Sequence, residues 1–208
     1  MAKKTDLRVL KTQKAIKEAF LSLIQKKGFE AVTIQDIAEE AMINRATFYL
    51  HYEDKYDLLE QISHTYLKEL MEVMNISFHL QNGEVNVKRF KITLRRVFEN
   101  IEENRFFYEV MLGPNGIAGF TNKIEKFLFE KFKENFKVIV GDLNNLNIPA
   151  DFILNFISSA YIGVVKWWLS EDTRYSPEYM AEHLAEVITK GPMNAIGYKI
   201  NFKEEDSD

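Results

Sequence analysis

The sequence contains no cysteine in its 208 residues, which excludes disulfide bonds and thiolate metal sites. Proline and glycine are scarce as well, at 4 and 9 residues, and they stand at isolated positions. So few turn-forming residues favour long helices over a sheet of many strands. No apolar run reaches the roughly 18 residues of a transmembrane helix, so the sequence predicts no membrane partner.

Motifs of common enzyme chemistry are missing too. The chain has no glycine-rich phosphate loop, no G-x-S-x-G segment and no nucleophile next to a base in a recognisable motif. Its histidines are spread out, without partners at metal-ligand spacing. We therefore expect no catalytic residue, no metal site and no cofactor, and we interpret the protein as a non-enzyme. No apolar segment follows the first four residues, so we expect no signal peptide and predict a cytoplasmic location.

Charge is distributed unevenly along the chain. The formal net charge is -4, yet the first 27 residues hold eight Lys or Arg against two acids. That segment therefore carries +6 and the remainder -10. A basic end on an acidic protein suits local contact with a polyanion, although a lysine-rich first helix is equally consistent with a solvated face.

Apolar residues recur at helical spacing along nearly the whole chain, so the sequence predicts an all-α fold of about nine helices. No segment has the alternation of a strand, and Asn82-Gly83 marks a turn. Gly28 is expected to end the first helix, and Asp54 and Asn86 to cap two later ones. The predicted helices cover residues 11–27, 34–41, 45–51, 54–74, 87–104, 105–112, 117–140, 149–169 and 177–190.

The pattern of residues 33–55 predicts two short helices joined by a tight turn. Thr33 is placed to N-cap the first helix, with Asp36 in the capping-box position. Met42 begins the turn, and Asn44 N-caps the second helix. Two helices joined in this way form a helix-turn-helix, whose second helix enters the major groove of DNA.

The second helix of this pair is too short to be stable alone, which suggests that its outer side serves a partner. Phe48 is predicted to face inward, together with either Leu50 or Tyr52 and, in part, Ala46; of the alternatives, Tyr52 is assigned to the small core. The residues left for the outside carry hydrogen-bond donors, and one carries an aromatic ring as well. They are Arg45, Thr47, Tyr49 and His51.

This stretch resembles the N-terminal domain of TetR-type transcriptional regulators. The similarity lies in an I-A-x-x-A helix from Ile37 and in the string T-F-Y-x-H-Y-x-x-K from Thr47 to Lys55. It covers about a quarter of the chain. One difference is Met42, where the family commonly has glycine. If that position needs a left-handed backbone, methionine there costs on the order of 1 kcal/mol.

The resemblance implies DNA-binding residues at the positions that match the motif. Arg45 is the candidate for reading guanine in the major groove, with a phosphate clamp or a solvent-facing arginine as the alternatives. The others are expected to contact phosphate and sugar, and Tyr49 also to touch a thymine methyl. The predicted set is Thr33, Asn44, Arg45, Thr47, Tyr49, His51 and Lys55.

The later helices are rich in aromatic residues, which admit two interpretations. Most of them belong to the core and to a dimer interface. The resemblance also implies an effector pocket between helices, where a few aromatic residues line an apolar cavity. The predicted wall consists of Phe98, Phe107, Met111, Phe127, Tyr161 and Trp167.

Together these features predict a ligand-responsive transcriptional regulator, by default a repressor. It is expected to bind a near-palindromic operator as a homodimer and to be released by a small molecule. The predicted domains are residues 1–55 for DNA binding and 56–202 for effector binding and dimerisation, with a disordered acidic tail at 203–208. The dimer is expected to form through helices at about 150–169 and 177–190. The alternatives are a helical dimeric interaction module, and an activator with a protein co-regulator.

Overall fold

The computed structural model describes residues 7–74, 80–81, 84–117, 119–140, 148–170 and 175–198, and the predicted tail at 203–208 lies outside this set. Helices dominate the described part of the chain, which confirms the all-α prediction. Ten are present there, because a short helix follows the nine that the sequence predicts. They are α1 (Leu7–Lys27), α2 (Ile34–Glu40), α3 (Arg45–Tyr49), α4 (Lys55–Val73), α5 (Val87–Glu103), α6 (Arg105–Leu112), α7 (Phe120–Val140), α8 (Ala150–Ser170), α9 (Pro177–Lys190) and α10 (Pro192–Ala195).

A two-stranded antiparallel hairpin is the element that the sequence analysis misses. β1 (Leu80–Gln81) and β2 (Glu84–Val85) place Leu80 opposite Val85. The prediction of no strand is wrong here, because strands of two residues are too short to show the alternation by which strands are recognised. The predicted turn at residues 82 and 83 lies outside the described residues.

The chain forms two compact units. The first contains the described residues of 1–69 and 104–173, and the second those of 70–103 and 174–208. The helix-turn-helix therefore belongs to the same unit as α6 and α8. The predicted domains, 1–55 and 56–202, divide the chain by role rather than by contact, and they stay predictions.

The predicted caps of the helix-turn-helix are confirmed. Thr33 Oγ1 accepts a hydrogen bond from Asp36 N at 3.2 Å, and Asp36 Oδ2 accepts one from Thr33 N at 2.8 Å. Asn44 Oδ1 accepts from Thr47 N at 2.7 Å at the start of α3. The Asp54 carboxylate caps α4 in the same way. Four helix boundaries between residues 28 and 54 thus follow from short polar side chains at N-cap positions and from one glycine, Gly28, at a C-terminus.

Two left-handed backbone positions separate the first three helices. Gly28 has φ +77° and ends α1 with its N–H bonded to Ile24 O at 2.8 Å, as predicted. Met42 has φ +54° in the turn between α2 and α3. The left-handed backbone considered for this position is therefore present, and a side chain costs roughly 1–2 kcal/mol there.

A small apolar core holds α1, α2, α3 and the start of α4 together. Tyr52 is 2% exposed and Leu50 is 80% exposed, so Tyr52 is the residue that joins Phe48 inside. Leu50 therefore points outward, on the side of the predicted DNA contacts. The residues of this core without exposed surface are Ile16, Phe20, Ile24, Ile37, Phe48 and Leu58.

The later part of the first unit packs α6, α7 and α8 around an aromatic core. Phe107 stacks on Tyr66 of α4 with ring centroids 4.1 Å apart, and it meets Phe120 edge-on at 5.8 Å. Gly113 turns the chain after α6, where an added Cβ would lie 2.4 Å from the carbonyl oxygen of Glu109. Any residue with a side chain at this position would therefore force the backbone at the end of α6 to shift.

Among the described helices, α8 alone is long and apolar enough to span a membrane by length and composition. The core helix of a protein outside the membrane passes the same test. Seven of its 21 residues are buried, Tyr161 and Trp168 among them. Its other side carries Phe152 and Phe156, each 64% exposed. Burial on one side thus accounts for only part of its apolar composition.

The second unit is built on α5 and α9, which pack against each other. Lys91 Nζ donates a hydrogen bond to Glu182 Oε1 at 2.9 Å across one edge of this pair. A groove of about 190 Å³ opens beside the two residues. Since small-molecule pockets usually measure about 300–1,000 Å³, this groove is a poor candidate for an effector site.

Candidate nucleic-acid interface and interior site

α3 presents two of its predicted residues outward as a pair. Arg45 and Tyr49 are exposed, and Arg45 Nη2 donates to the Tyr49 hydroxyl at 3.5 Å. Phe48, on the inner side of the same helix, has no exposed surface and meets Tyr49 edge-on with ring centroids 5.7 Å apart. Burial of Phe48 therefore fixes the side of the helix from which a guanidinium and a phenol project together.

The polar side chains at the helix starts already make local hydrogen bonds. Thr33 Oγ1 donates to Asp36 Oδ2 at 2.6 Å, and Thr47 Oγ1 donates to Asn44 Oδ1 at 2.9 Å. A phosphate oxygen is an acceptor, so each hydroxyl would have to leave its present partner to donate to DNA. The start of a helix itself attracts an anion. The predicted phosphate contacts of these residues stay predictions.

An ion pair ties the end of α1 to the start of α2. Lys27 Nζ lies 2.7 Å from Asp36 Oδ2. The hydrogen bond from Lys27, followed by those from Thr33, lowers the pKa of Asp36 from its ordinary value of 3.8 to about 2. Asp36 is therefore ionised at neutral pH and keeps the capping box closed.

The ammonium group of Lys55 is hydrogen-bonded to the loop between α1 and α2. Its Nζ donates to the carbonyl oxygens of Phe29, Glu30 and Val32 at 3.1, 3.0 and 3.0 Å. It also lies 4.7 Å from the centre of the Phe29 ring, within cation–π range. A hydrogen bond to phosphate would need one of these carbonyls to be given up, since an ammonium has three donors. The phosphate contact of Lys55 stays a prediction.

Residues 44–52 contain no carboxylate, which suits the approach of a polyanion. His51 is half-buried within this segment, with its ring centroid 6.2 Å from that of Tyr52. Cations on α1, such as Lys11 and Lys17, add positive charge to the same unit. Within the described residues, no group of three His, Asp or Glu is placed to hold a metal ion.

Tyr108 lies in the aromatic core of the first unit with its hydroxyl oxygen buried. The residue is 2% exposed, and this hydroxyl has no hydrogen-bond partner in the part of the chain that the structure describes. Burial raises the pKa of Tyr108 well above its ordinary value, and Glu69 and Tyr66 raise it further. The group is therefore a neutral hydroxyl whose lost solvation costs about 1–3 kcal/mol.

Most of the predicted effector wall lies in the same interior, with one correction. Trp167 is 47% exposed, whereas Trp168 has no exposed surface, so the structure places Trp168 inside instead of Trp167. Neighbouring residues of a helix point about 100° apart, and composition alone does not say which of two adjacent tryptophans faces inward. Phe98 is buried in the second unit, and its place in the wall stays a prediction. Phe107, Met111 and Tyr161 are buried and Phe127 is half-buried in the first unit.

Two family models match this chain. One describes bacterial regulatory proteins of the tetR family and matches residues 16–62. The other describes a transcriptional regulator C-terminal region and matches residues 89–190. The chain belongs to the TetR family. Since proteins of this family regulate transcription, the expectation of a non-enzyme is confirmed as well.

Individual TetR-family proteins and related regulators are similar over most of the chain. YxbF of Bacillus subtilis, an uncharacterized HTH-type transcriptional regulator, is 24% identical over 176 residues, or 84% of this chain. The chain spans only 44% of the length of YxbF and 38% of that of YuxN, another B. subtilis regulator. The probable acrEF/envCD operon repressor of Escherichia coli K12 is 22% identical over 206 residues, covering 91% of this chain and 90% of that protein. A putative fatty acid metabolism regulator of Clostridium perfringens has the same fold, with a TM-score of 0.68, 18% identity and coverage of 90% and 100% of the two chains.

Sequence reasoning misses three features of this TetR-family chain. Leu50 is exposed next to the predicted contacts, and its spacing of four residues from Ala46 is the signal that points to it. The buried hydroxyl of Tyr108, which has no partner within the described ranges, leaves no signal in the sequence, because only tertiary packing buries it. Asn115 Nδ2 donates to Gln25 O at 3.0 Å and links the loop after α6 to α1, a contact between segments ninety residues apart.

Proposed function

We propose that this TetR-family regulator binds a near-palindromic operator as a homodimer and reads guanine through Arg45. The exposed Arg45–Tyr49 pair on α3 is the observation that supports it. A guanidinium fork on the outer side of a recognition helix matches O6 and N7 of guanine in the major groove. One such short helix reaches few bases, so pairing of two protomers doubles the sequence that is read.

The remaining residues of the motif are proposed to hold the DNA backbone. They set the register of the helix on the duplex and carry no base information of their own. Lys55 is proposed to contribute its charge and to fix the loop after α1, because its donors are engaged with backbone carbonyls. The backbone-holding set is Thr33, Asn44, Thr47, Tyr49 and His51.

The homodimer is proposed to form through α8 and α9. On α8, the exposed Phe152 and Phe156 are followed on the same side by the small residues Ala160 and Gly163. Small residues let two helices approach closely, and the phenylalanines supply apolar area for the contact. On α9, Val187 and Ile188 are exposed as well. Contact with a second protomer would cover each of these surfaces.

A small apolar molecule with one hydrogen-bonding group is proposed as the effector. Tyr108 supports this, since its hydroxyl is buried among aromatic residues and has no hydrogen-bond partner among the residues that the structure describes. A ligand that accepts this hydrogen bond would recover free energy that the unliganded protein lacks. Phe107, Met111 and Tyr161 supply the apolar surroundings.

The effector signal is proposed to reach the DNA through α4. Tyr66 of α4 stacks on Phe107 of the interior, and Lys55 at the start of α4 holds the loop after α1. These two residues are about 16 Å apart along one continuous helix. A shift of Phe107 would therefore displace Tyr66 and, through the rigid helix, Lys55 at its start. The recognition helices of a dimer would then lose the spacing of successive major grooves.

Repression is the proposed mode of action, because the sequence contains no recognisable segment for contact with polymerase and one similar protein is named a probable operon repressor. Repression requires access to chromosomal DNA, so we place the protein in the cytoplasm.

Selection of duplexes from a random pool by the full-length protein tests the proposal. The expected product is an inverted repeat with a guanine at the same place in each half-site. Its affinity should fall steeply with salt, since each neutralised phosphate contributes about 0.9 to the slope of log K against log salt. A pool that stays random after selection would contradict sequence-specific binding.

Sedimentation of a Phe156→Glu variant tests the dimer. The account expects monomers at concentrations where the unmodified protein sediments as a dimer, because a carboxylate would be buried without a partner. Phe106→Glu is the matched control, since Phe106 is another exposed phenylalanine and lies on α6. A dimer that survives Phe156→Glu would place the interface elsewhere.

A further inference from the structure

The exposed side of α3 is divided into two chemically different strips. The first is the polar strip, Arg45 and Tyr49, whose side chains are joined by a hydrogen bond. The second is the apolar strip, Ala46 and Leu50, whose side chains carry no polar atom. The strips lie side by side, because consecutive residues of a helix differ by about 100°.

Leu50 continues the helix although it follows the last residue of α3. Its backbone has φ -72° and ψ -18°, and its N–H donates to Ala46 O at 3.2 Å. Ala46 and Leu50 are therefore one helical turn apart and project from the same side. Leu50 is 80% exposed and Ala46 is exposed too, so both are open to a partner.

A single exposed leucine needs no explanation on a protein surface. The apolar strip differs because of what surrounds it. It lies on a five-residue helix whose other exposed side carries the proposed guanine contact, in a segment without any carboxylate. Because the two strips are adjacent, a base pair that contacts Arg45 has neighbouring base pairs within reach of the apolar strip.

We infer that Leu50, flanked by Ala46, contacts the C5 methyl of thymine in the major groove. This inference rests on the proposed function, since it assigns a base preference to the same recognition helix. The thymine methyl is the apolar group that base edges offer in the major groove, and apolar side chains contact it there. Phosphate oxygens and the polar base edges offer nothing that a leucine can bind. Each half-site should therefore contain thymine beside the guanine that meets Arg45.

Replacement of single thymines by deoxyuridine tests this contact, because it removes the methyl and leaves base pairing intact. The probe is the highest-affinity duplex selected from the random pool, and the protein is the full chain. At one or two thymines of each half-site, uracil should weaken binding by about fourfold for each methyl lost, or about sixteenfold when both half-sites are changed. With Leu50→Ala, the same replacement should change affinity by less than about twofold.

Met42→Ala is the matched control, since Met42 is 92% exposed and lies in the turn outside α3. This variant should keep the full uracil effect. Uracil sensitivity that persists in Leu50→Ala would overturn the inference, as would specific binding that ignores uracil at every position. The second result would leave the proposed function standing. A failure to select any sequence would instead remove the proposed function and the inference together.

Discussion

Polar side chains are exposed in one region of the first unit and buried in another. On the outer side of α3, Arg45 and Tyr49 are exposed and bonded to each other. In the interior, Tyr108 is 2% exposed and its hydroxyl has no partner among the described residues. Water satisfies an exposed group until DNA arrives, whereas a buried hydroxyl without a partner lowers stability until a partner is supplied.

Substitutions in these two regions should therefore have different effects on stability. A change on the outer side should remove function and leave the free energy of unfolding unchanged. A change that deletes the buried hydroxyl should raise the free energy of unfolding. Lys55 belongs to neither class, because a cation close to the proposed interface is used for internal hydrogen bonds.

Arg45→Lys should give the largest effect, and this effect should be confined to the specificity of DNA binding. Lysine keeps the charge but loses the fork that matches guanine, and one such contact is worth about 1–3 kcal/mol. A dimer with one contact in each half-site should therefore lose roughly 2–6 kcal/mol of discrimination between operator and scrambled DNA. Titration of both duplexes measures this, with affinity for scrambled DNA expected to stay constant.

Arg95→Lys on α5 is the control for this substitution, since Arg95 is an exposed arginine outside the helix-turn-helix. It should leave operator affinity as it is. Equal discrimination by Arg45→Lys and the unmodified protein would mean that Arg45 clamps phosphate and that another residue reads the base.

Lys55→Met should lower the free energy of unfolding by about 2 kcal/mol, because three hydrogen bonds from a charged donor disappear from a partly buried site. Urea unfolding measures this loss. Lys14→Met is the control, since Lys14 is highly exposed and forms a surface ion pair with Glu18 at 3.7 Å. A stable Lys55→Met protein whose salt slope drops by about 1.8 per dimer would instead make Lys55 a phosphate contact.

Tyr108→Phe should raise the free energy of unfolding by about 1 kcal/mol, since it removes a buried hydroxyl without a partner and keeps the ring. Chemical unfolding of both proteins tests the sign. Tyr56→Phe, at an exposed tyrosine, should change stability by less than about 0.5 kcal/mol. A loss of stability in Tyr108→Phe would show that the hydroxyl has a bonding partner and would withdraw the support for the effector proposal.

Asp36→Asn should give the smallest effect, and one that depends on pH. The pKa of Asp36 is lowered to about 2 in the folded protein from an ordinary 3.8. Its ionised form therefore stabilises the fold above about pH 4, and this contribution is lost as the pH falls towards 2. The gap between the unmodified and variant unfolding curves should be constant near neutrality and close between pH 4 and 2. A gap at pH 2 that is as large as the gap at neutral pH would contradict this assignment.

Sequence predicts the helix-turn-helix well because its boundaries depend on local chemistry. Thr33, Asn44 and Asp54 cap their helices through side chains that reach only two or three residues along the chain. The left-handed turn at Met42 follows from the family pattern, since glycine commonly stands there.

The rest depends on packing between distant segments, which a single sequence does not display. Leu50 and Tyr52 are both apolar enough for a core, and Trp167 and Trp168 are identical in chemistry. Only tertiary contacts decide which member of each pair is buried. The same reason hides the carbonyl contacts of Lys55, since they join residues more than twenty positions apart.

The ratio of two dissociation constants of this chain, measured at about 0.15 M salt, decides whether it is a dimeric regulator that reads sequence. One is for the selected inverted repeat and the other for a scrambled duplex of the same composition. The account predicts a ratio of about 10³ or more, with two protomers on each operator duplex. A ratio near one, or a single protomer on the operator, would contradict the account of a dimeric, sequence-reading regulator.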